Sequence, residues 1–153
     1  MTWKERSIET VATAMVLATV FGVPFAVRAY DRHVVQQEAQ GARVIELYAN
    51  GRLGAWLQHP VEGWNYFRTE PKPGPIRIKV GQPVLFRLTS MDVHHSFSIP
   101  QLRIKARDVA PGRWTDVSVQ PDESGNYTVL CYTVCGTGHV YMDAQLDVTD
   151  SGR

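Results

Sequence analysis

Two cysteines, a histidine and a methionine fall within twelve residues, in the segment Cys131-Tyr132-Thr133-Val134-Cys135-Gly136-Thr137-Gly138-His139-Val140-Tyr141-Met142. These two cysteines are the only ones in the chain. A small secreted disulfide scaffold would use more and space them widely. Two thiols four positions apart point first to a metal, with a short-loop disulfide or two idle thiols as the alternative. Thiolate, imidazole and thioether are soft or borderline donors, which suit copper and suit magnesium or calcium badly. Zinc would accept two cysteines and two histidines but rarely uses methionine. A blue-copper site needs only one thiolate, so the second cysteine separates two coppers from one. Gly136 and Gly138 let the segment curl without steric penalty, so that its donors can converge.

A further donor should come from a neighbouring strand. Val93, His95, Phe97 and Ile99 alternate with His94, Ser96 and Ser98. Strand side chains alternate faces, so His95 shares a face with three apolar residues and His94 with two serines. His95 is therefore expected to point inward and His94 outward. Taken singly, a histidine on an apolar face is usually core, methionine usually packs, and His139 could be any surface histidine. Their occurrence together is what points to a metal.

The elements that must carry these residues read as β. Strands are expected at Val44 to Tyr48, Pro75 to Val80, Val84 to Leu88, Val93 to Ile99, Trp114 to Val119, Tyr127 to Leu130 and Ala144 to Val148. Turn signals separate them at Lys72-Pro73-Gly74-Pro75, Gly81-Gln82-Pro83, Pro111-Gly112, Pro121-Asp122 and Ser124-Gly125-Asn126. Short alternating strands at this spacing suggest an antiparallel sandwich or barrel. Leu53 to Gly63 fits no strand well and is read as a loop or lid. The donor segment runs between two strands, which makes it a rigid ligand carrier.

Ahead of the β region, Val11 to Val27 contains no charged residue. These seventeen residues sit at the short limit for crossing a bilayer, and Ile8 and Thr10 extend the run. The segment is read as a retained membrane anchor. A cleaved signal peptide is the rival, since Val27-Arg28-Ala29 resembles a cleavage site. Either reading places the remainder outside the cytoplasm. Lys4 and Arg6 on one side and Arg28 and Arg32 on the other make the positive-inside bias weak. The expected organisation is an anchor at 1–30, a linker at 31–42 (helical or extended) and one β domain at 43–149. A length of 153 residues suits one soluble domain rather than two. The net charge of +1 makes no electrostatic case for nucleic acid.

The segment Cys131 to Met142 resembles the CuA loop of the cytochrome c oxidase subunit II family. The resemblance runs from about Pro75 to Val148. It includes Asp92-Val93-His94-His95-Ser96-Phe97-Ser98-Ile99-Pro100 and Lys105-Ala106-Arg107-Asp108-Val109-Ala110-Pro111-Gly112-Arg113. It implies a mainly β, cupredoxin-like Greek-key barrel or sandwich preceded by a single N-terminal transmembrane helix. Many family members have two such helices. It implies a binuclear copper centre bridged by Cys131 and Cys135. His95 and Met142 would complete one copper, and His139 and the backbone carbonyl of Thr133 the other. Two bridging thiolates would let one unpaired electron spread over both metals, which keeps rearrangement on reduction small. Val93, Phe97, Ile99 and Val134 are expected to form an apolar shell that excludes water. Thr133 stands where the family often has a glutamate reaching a shared magnesium ion, so no magnesium is expected. Trp64 and Tyr66, with Phe67, lie where the family admits electrons, core or rim packing being the alternative. Asp108 and Arg113 are expected to face the catalytic subunit.

The function this implies is that of the electron-accepting subunit of a haem–copper terminal oxidase. It would sit in the cell (inner) membrane as a single-pass protein, surrounded by lipid, with the copper domain on the outer, periplasmic side. Electrons would come from an external donor, a cytochrome c or a small copper protein, and pass to haem in catalytic subunit I. Many family members carry acidic residues for a basic donor. Arg103, Lys105, Arg107 and Arg113 make this chain basic there, which suggests a different or weakly charged one. The chain alone is not expected to reduce oxygen, having no Cys-x-x-Cys-His haem attachment. Alternatives are the CuA module of a nitric oxide or nitrous oxide reductase, a free-standing anchored copper carrier, and a degenerate quinol-oxidase subunit, a branch that lacks the ligands present here.

Overall fold

The computed structural model describes residues 3–61 and 73–150. The chain divides into two compact units, Met1–Gly41 and Ala42–Arg153. The first is one helix, α1 (Trp3–Glu38), with Pro24 inside it. Its 36 residues span roughly 54 Å at 1.5 Å per residue, more than the hydrocarbon core of a bilayer. From Ser7 to His33 every side chain is exposed, apolar ones included. A helix apolar all round has no polar face to offer water and is stable where the solvent is hydrocarbon. Its length and composition suffice to cross a membrane. It continues through 31–38, the stretch read from sequence as linker or helix.

Among its described residues the second unit holds nine strands: β1 (Arg43–Asn50), β2 (Ala55–Leu57), β3 (Ile76–Lys79), β4 (Val84–Ser90), β5 (His95–Ile99), β6 (Ile104–Val109), β7 (Thr115–Val119), β8 (Gly125–Leu130) and β9 (Asp143–Thr149). Alternation is clearest in β3, where Ile76 and Ile78 are buried and Arg77 and Lys79 exposed. The strands pair in the order β6-β5-β8-β9-β2-β1-β4-β7, with β3 also on β9. The result is a nearly closed, barrel-like sheet, and β6 and β7 end the path. Trp56, Phe86, Phe97, Leu47, Leu88, Ile99 and Leu146 fill its interior. Phe97 meets Trp56 edge-on at 5.3 Å and Phe86 at 5.4 Å between ring centroids.

Three features depart from the sequence reading. The sheet is mixed rather than antiparallel, because β1 runs parallel to β4, and β2 and β3 run parallel to β9. Parallel neighbours require long crossovers, and among the described residues of the second unit these contain no α-helix. Within Leu53 to Gly63, expected as a loop or lid, residues 55–57 form β2. All three are buried, so no alternation marks them; Gly63 lies outside the described residues. β6 was not expected as a strand either. It is exposed along most of its length, and what makes it a strand is its ladder to β5.

Candidate metal centre

The barrel end where β5 begins and β8 finishes gathers the donor residues. All of β5 is buried, including the serine face expected to point outward. The serines are accommodated because their hydroxyls are satisfied. Ser96 Oγ accepts from the Tyr132 amide at 2.7 Å, and Ser98 Oγ donates to the Ile104 carbonyl at 2.8 Å. His95 is fully buried. His94 lies just ahead of the strand with its side chain 64% exposed, and its Nδ1 is 3.1 Å from Asp108 Oδ1.

The donor loop leaves β8 after Leu130, curls through Gly136 with φ of 110°, and returns through a 3-10 turn at His139–Tyr141 to β9. Both cysteines are free, with their sulfurs 3.8 Å apart. Cys135 Sγ lies 3.5 Å from His139 Nδ1 and 3.4 Å from Met142 Sδ. Cys131 Sγ lies 3.4 Å from the Thr133 carbonyl oxygen. A His95 ring nitrogen and both sulfurs fall within 4.8 Å of one another. His95 Nε2 donates to Asp92 Oδ1 at 2.8 Å, which leaves Nδ1 to offer. That Nδ1 is buried without a hydrogen-bond partner. An orphaned polar atom in a buried site is costly unless something binds it. Its position among two thiols, a second imidazole and a thioether fits a soft cation, copper before zinc.

The expected apolar shell is half right in composition. Phe97 and Ile99 are fully buried, whereas Val93 is 47% and Val134 84% exposed. Val93 precedes β5 and Val134 sits at the outside of the curled loop, so neither has the barrel to turn into. Trp56 closes the inner side instead, its ring edge-on to His95 at 6.3 Å.

Burial alone would push the His95 ring down, but its hydrogen bond to the Asp92 carboxylate, and then the attraction of the nearby Cys131 sulfur, carry it up to about 9. Asp92 is raised by burial, yet His95 and the amides of Val93 and Gly51 bring it below the usual carboxylate range. Of the two thiols, Cys131 is opposed by burial but drawn down to about 6 by His95 and by the Ser96 amide. Cys135 is pushed up by burial and by the negative Cys131 beside it. Near neutral pH the metal-free site therefore holds an imidazolium, a thiolate and a thiol. A metal held by His95 and Cys135 would displace the protons on both, so loading at pH 7 should release about two protons per site. Affinity should fall as pH falls, because lower pH favours both protonated groups. Calorimetry in buffers of different ionisation enthalpy measures that release, and none detected would contradict this protonation pattern.

The remaining expected residues are placed as follows. Asp108 and Arg113 are exposed, and the Arg113 guanidinium donates to Asp108 Oδ2. The His94 hydrogen bond first, and Arg113 with it, hold the Asp108 carboxyl below its usual range. Trp64, Tyr66 and Phe67 lie outside the described residues. Sequence reasoning missed Asp92, Trp56 and Gly51. Asp92 stands three positions before His95, and only the bend between β4 and β5 turns it back onto the ring.

Residues 70–149 match the family described as cytochrome c oxidase subunit II, periplasmic domain. The alternative cytochrome c oxidase subunit 2 of Bradyrhizobium diazoefficiens is 37% identical over 75 residues, covering 49% of this chain and 27% of that protein. Cytochrome c oxidase subunit 2 of Synechocystis sp. is 31% identical over 105 residues, 69% of this chain and 30% of that protein. The chain thus spans under a third of the length of these relatives. The periplasmic domain of subunit II of the Bradyrhizobium japonicum cytochrome oxidase superposes with a TM-score of 0.53 at 19% identity, over 71% of this chain and 85% of that one. A chain of a heme-copper terminal oxidase dimer superposes with a TM-score of 0.52 at 20% identity, over 95% of this chain and 99% of that one. At these identities the structures establish a shared fold, the cupredoxin-like barrel.

Proposed function

Since this chain belongs to the cytochrome c oxidase subunit II family, we propose that it is the electron-accepting subunit of a haem–copper oxidase and works through a binuclear copper centre. The observation that carries this reading is a pair of free sulfurs 3.8 Å apart, flanked by His139, Met142 and the unpartnered Nδ1 of His95. Cys131 and Cys135 would bridge two copper ions. His95 and Met142 would complete one, and His139 and the Thr133 carbonyl the other. When bound, such a pair supplies a one-electron couple shared between two metals. The residues' own work is to keep six donors together, three of them (His95, Cys135 and Met142) buried, so that little moves when charge arrives. Trp56 and Phe97 keep water from the inner side.

On this reading the copper domain lies on the outer, periplasmic side of the membrane, held there by α1. An external donor, a cytochrome c or small copper protein, delivers electrons, with Trp64 and Tyr66 the candidates for where they enter. Haem in catalytic subunit I receives them, and the His94–Asp108–Arg113 network faces that subunit. The chain purified from native membrane should carry two coppers and a resonance spectrum of one electron shared by two nuclei, and a catalytic chain should accompany it. One copper per chain would defeat the binuclear centre; a chain running alone would defeat the subunit role.

A further inference from the structure

The donor loop contains two glycines, Gly136 and Gly138, and a glycine-rich loop is entropically expensive to hold in one shape. Its partner in the fold is the turn between β1 and β2, Gly51 to Gly54. The Gly51 carbonyl accepts from the Gly138 amide at 3.0 Å, one residue before His139. The Gly51 amide donates to Asp92 Oδ2 at 2.7 Å, and the other oxygen of Asp92 accepts from His95 at 2.8 Å. A single residue therefore ties both halves of the donor set, the loop on one side and the strand histidine on the other.

The approach is too close for any side chain. A Cβ at Gly51 would collide with the Cys135 carbonyl oxygen and stand 3.1 Å from His95 Cε1. One at Gly54 would stand 2.5 Å from the Gly138 carbonyl oxygen, and one at Gly138 2.6 Å from the Gly54 nitrogen. By contrast, Gly41, Gly74, Gly81, Gly112 and Gly136 have open space where a Cβ would go. Backbone-to-backbone contact is thus concentrated where the turn meets the donor loop. Leu53 donates its amide to the buried Asn50 Oδ1 at 2.9 Å, which stiffens the turn itself.

We propose that the Gly51–Gly54 turn is a positioning element of the metal centre, clasping the donor loop and His95 into their converged arrangement before metal arrives. This rests on the metal site proposed above. Gly51 is a positioning residue: it touches no metal and acts through Gly138, Cys135 and Asp92. Removing the clasp leaves every donor in the chain but lets the two halves drift apart.

The test uses the full chain in detergent, as wild type, Gly51→Ala and Gly74→Ala. Folding is checked by circular dichroism, copper affinity by competition with a chelator, and site geometry by the copper hyperfine pattern. Gly51→Ala should fold, bind the copper pair about tenfold or more weakly, and show an altered hyperfine pattern. Gly74→Ala should match the wild type. Wild-type affinity and spectrum in Gly51→Ala would overturn the proposal. Should Gly51→Ala fail to fold, amide exchange at Gly138 in metal-free wild type decides: protection like that of a strand interior supports the clasp, and exchange at the rate of an open loop overturns it. Should wild type take up no copper pair, the metal reading fails on its own, and the same exchange measurement still judges the clasp.

Discussion

Cys135→Ser is expected to abolish the shared-electron spectrum and leave at most one copper per chain. Cys135 Sγ is the donor atom nearest the others, 3.8 Å from Cys131 Sγ, 3.5 Å from His139 Nδ1 and 3.4 Å from Met142 Sδ. A hydroxyl in its place is a hard, neutral donor with a shorter reach, and it cannot bridge two soft cations. His139 and Met142 then lose the sulfur that joins them to the rest. Met142 is itself buried, so it cannot swing out to find a replacement. The fold should survive, since the loop's backbone bonds and the β8–β9 ladder do not involve the thiol. Metal analysis with paramagnetic resonance reads the outcome. An unchanged spectrum would remove Cys135 from the site.

The second large effect separates two adjacent histidines. His95→Ala should destroy the colour, while His94→Ala should leave copper content and spectrum as in wild type. The His95 ring is wholly buried, and its Nδ1 faces no other partner. Its loss also removes one hydrogen bond from Asp92, which keeps the amides of Val93 and Gly51, so the metal-free fold should lose about 1 kcal/mol from that bond. His94 is exposed and engaged with Asp108, outside the donor cluster. Colour retained in His95→Ala and lost in His94→Ala would show that the strand presents the other ring to the metal. Denaturant unfolding of the metal-free variants separates lost ligation from lost structure.

Much of this architecture is legible in local sequence because local chemistry dictates it. The uncharged run from Val11 to Val27 needs an apolar solvent wherever the rest of the chain goes. The alternation in Ile76-Arg77-Ile78-Lys79 requires one wet and one dry face. The types and spacing of Cys131, Cys135, His139 and Met142 state a preference for soft metals before any fold is known. Short or exposed strands escape such reading. Ala55 to Leu57 is buried on all sides, and β6 owes its existence to hydrogen bonds with β5 rather than to any pattern of its own.

Sequence by itself determined the donor types, the periodicity that sends His95 inward, and the apolar helix, since each depends only on neighbouring residues and their solvent. Tertiary structure alone decided that Asp92 holds His95, that Trp56 closes the site in place of Val93 and Val134, and that Gly51 meets both Gly138 and Cys135. Those contacts join segments up to 87 positions apart, as Gly51 and Gly138 are. Separation along the chain carries no information about distance in space until β1, β2, β5, β8 and β9 have paired.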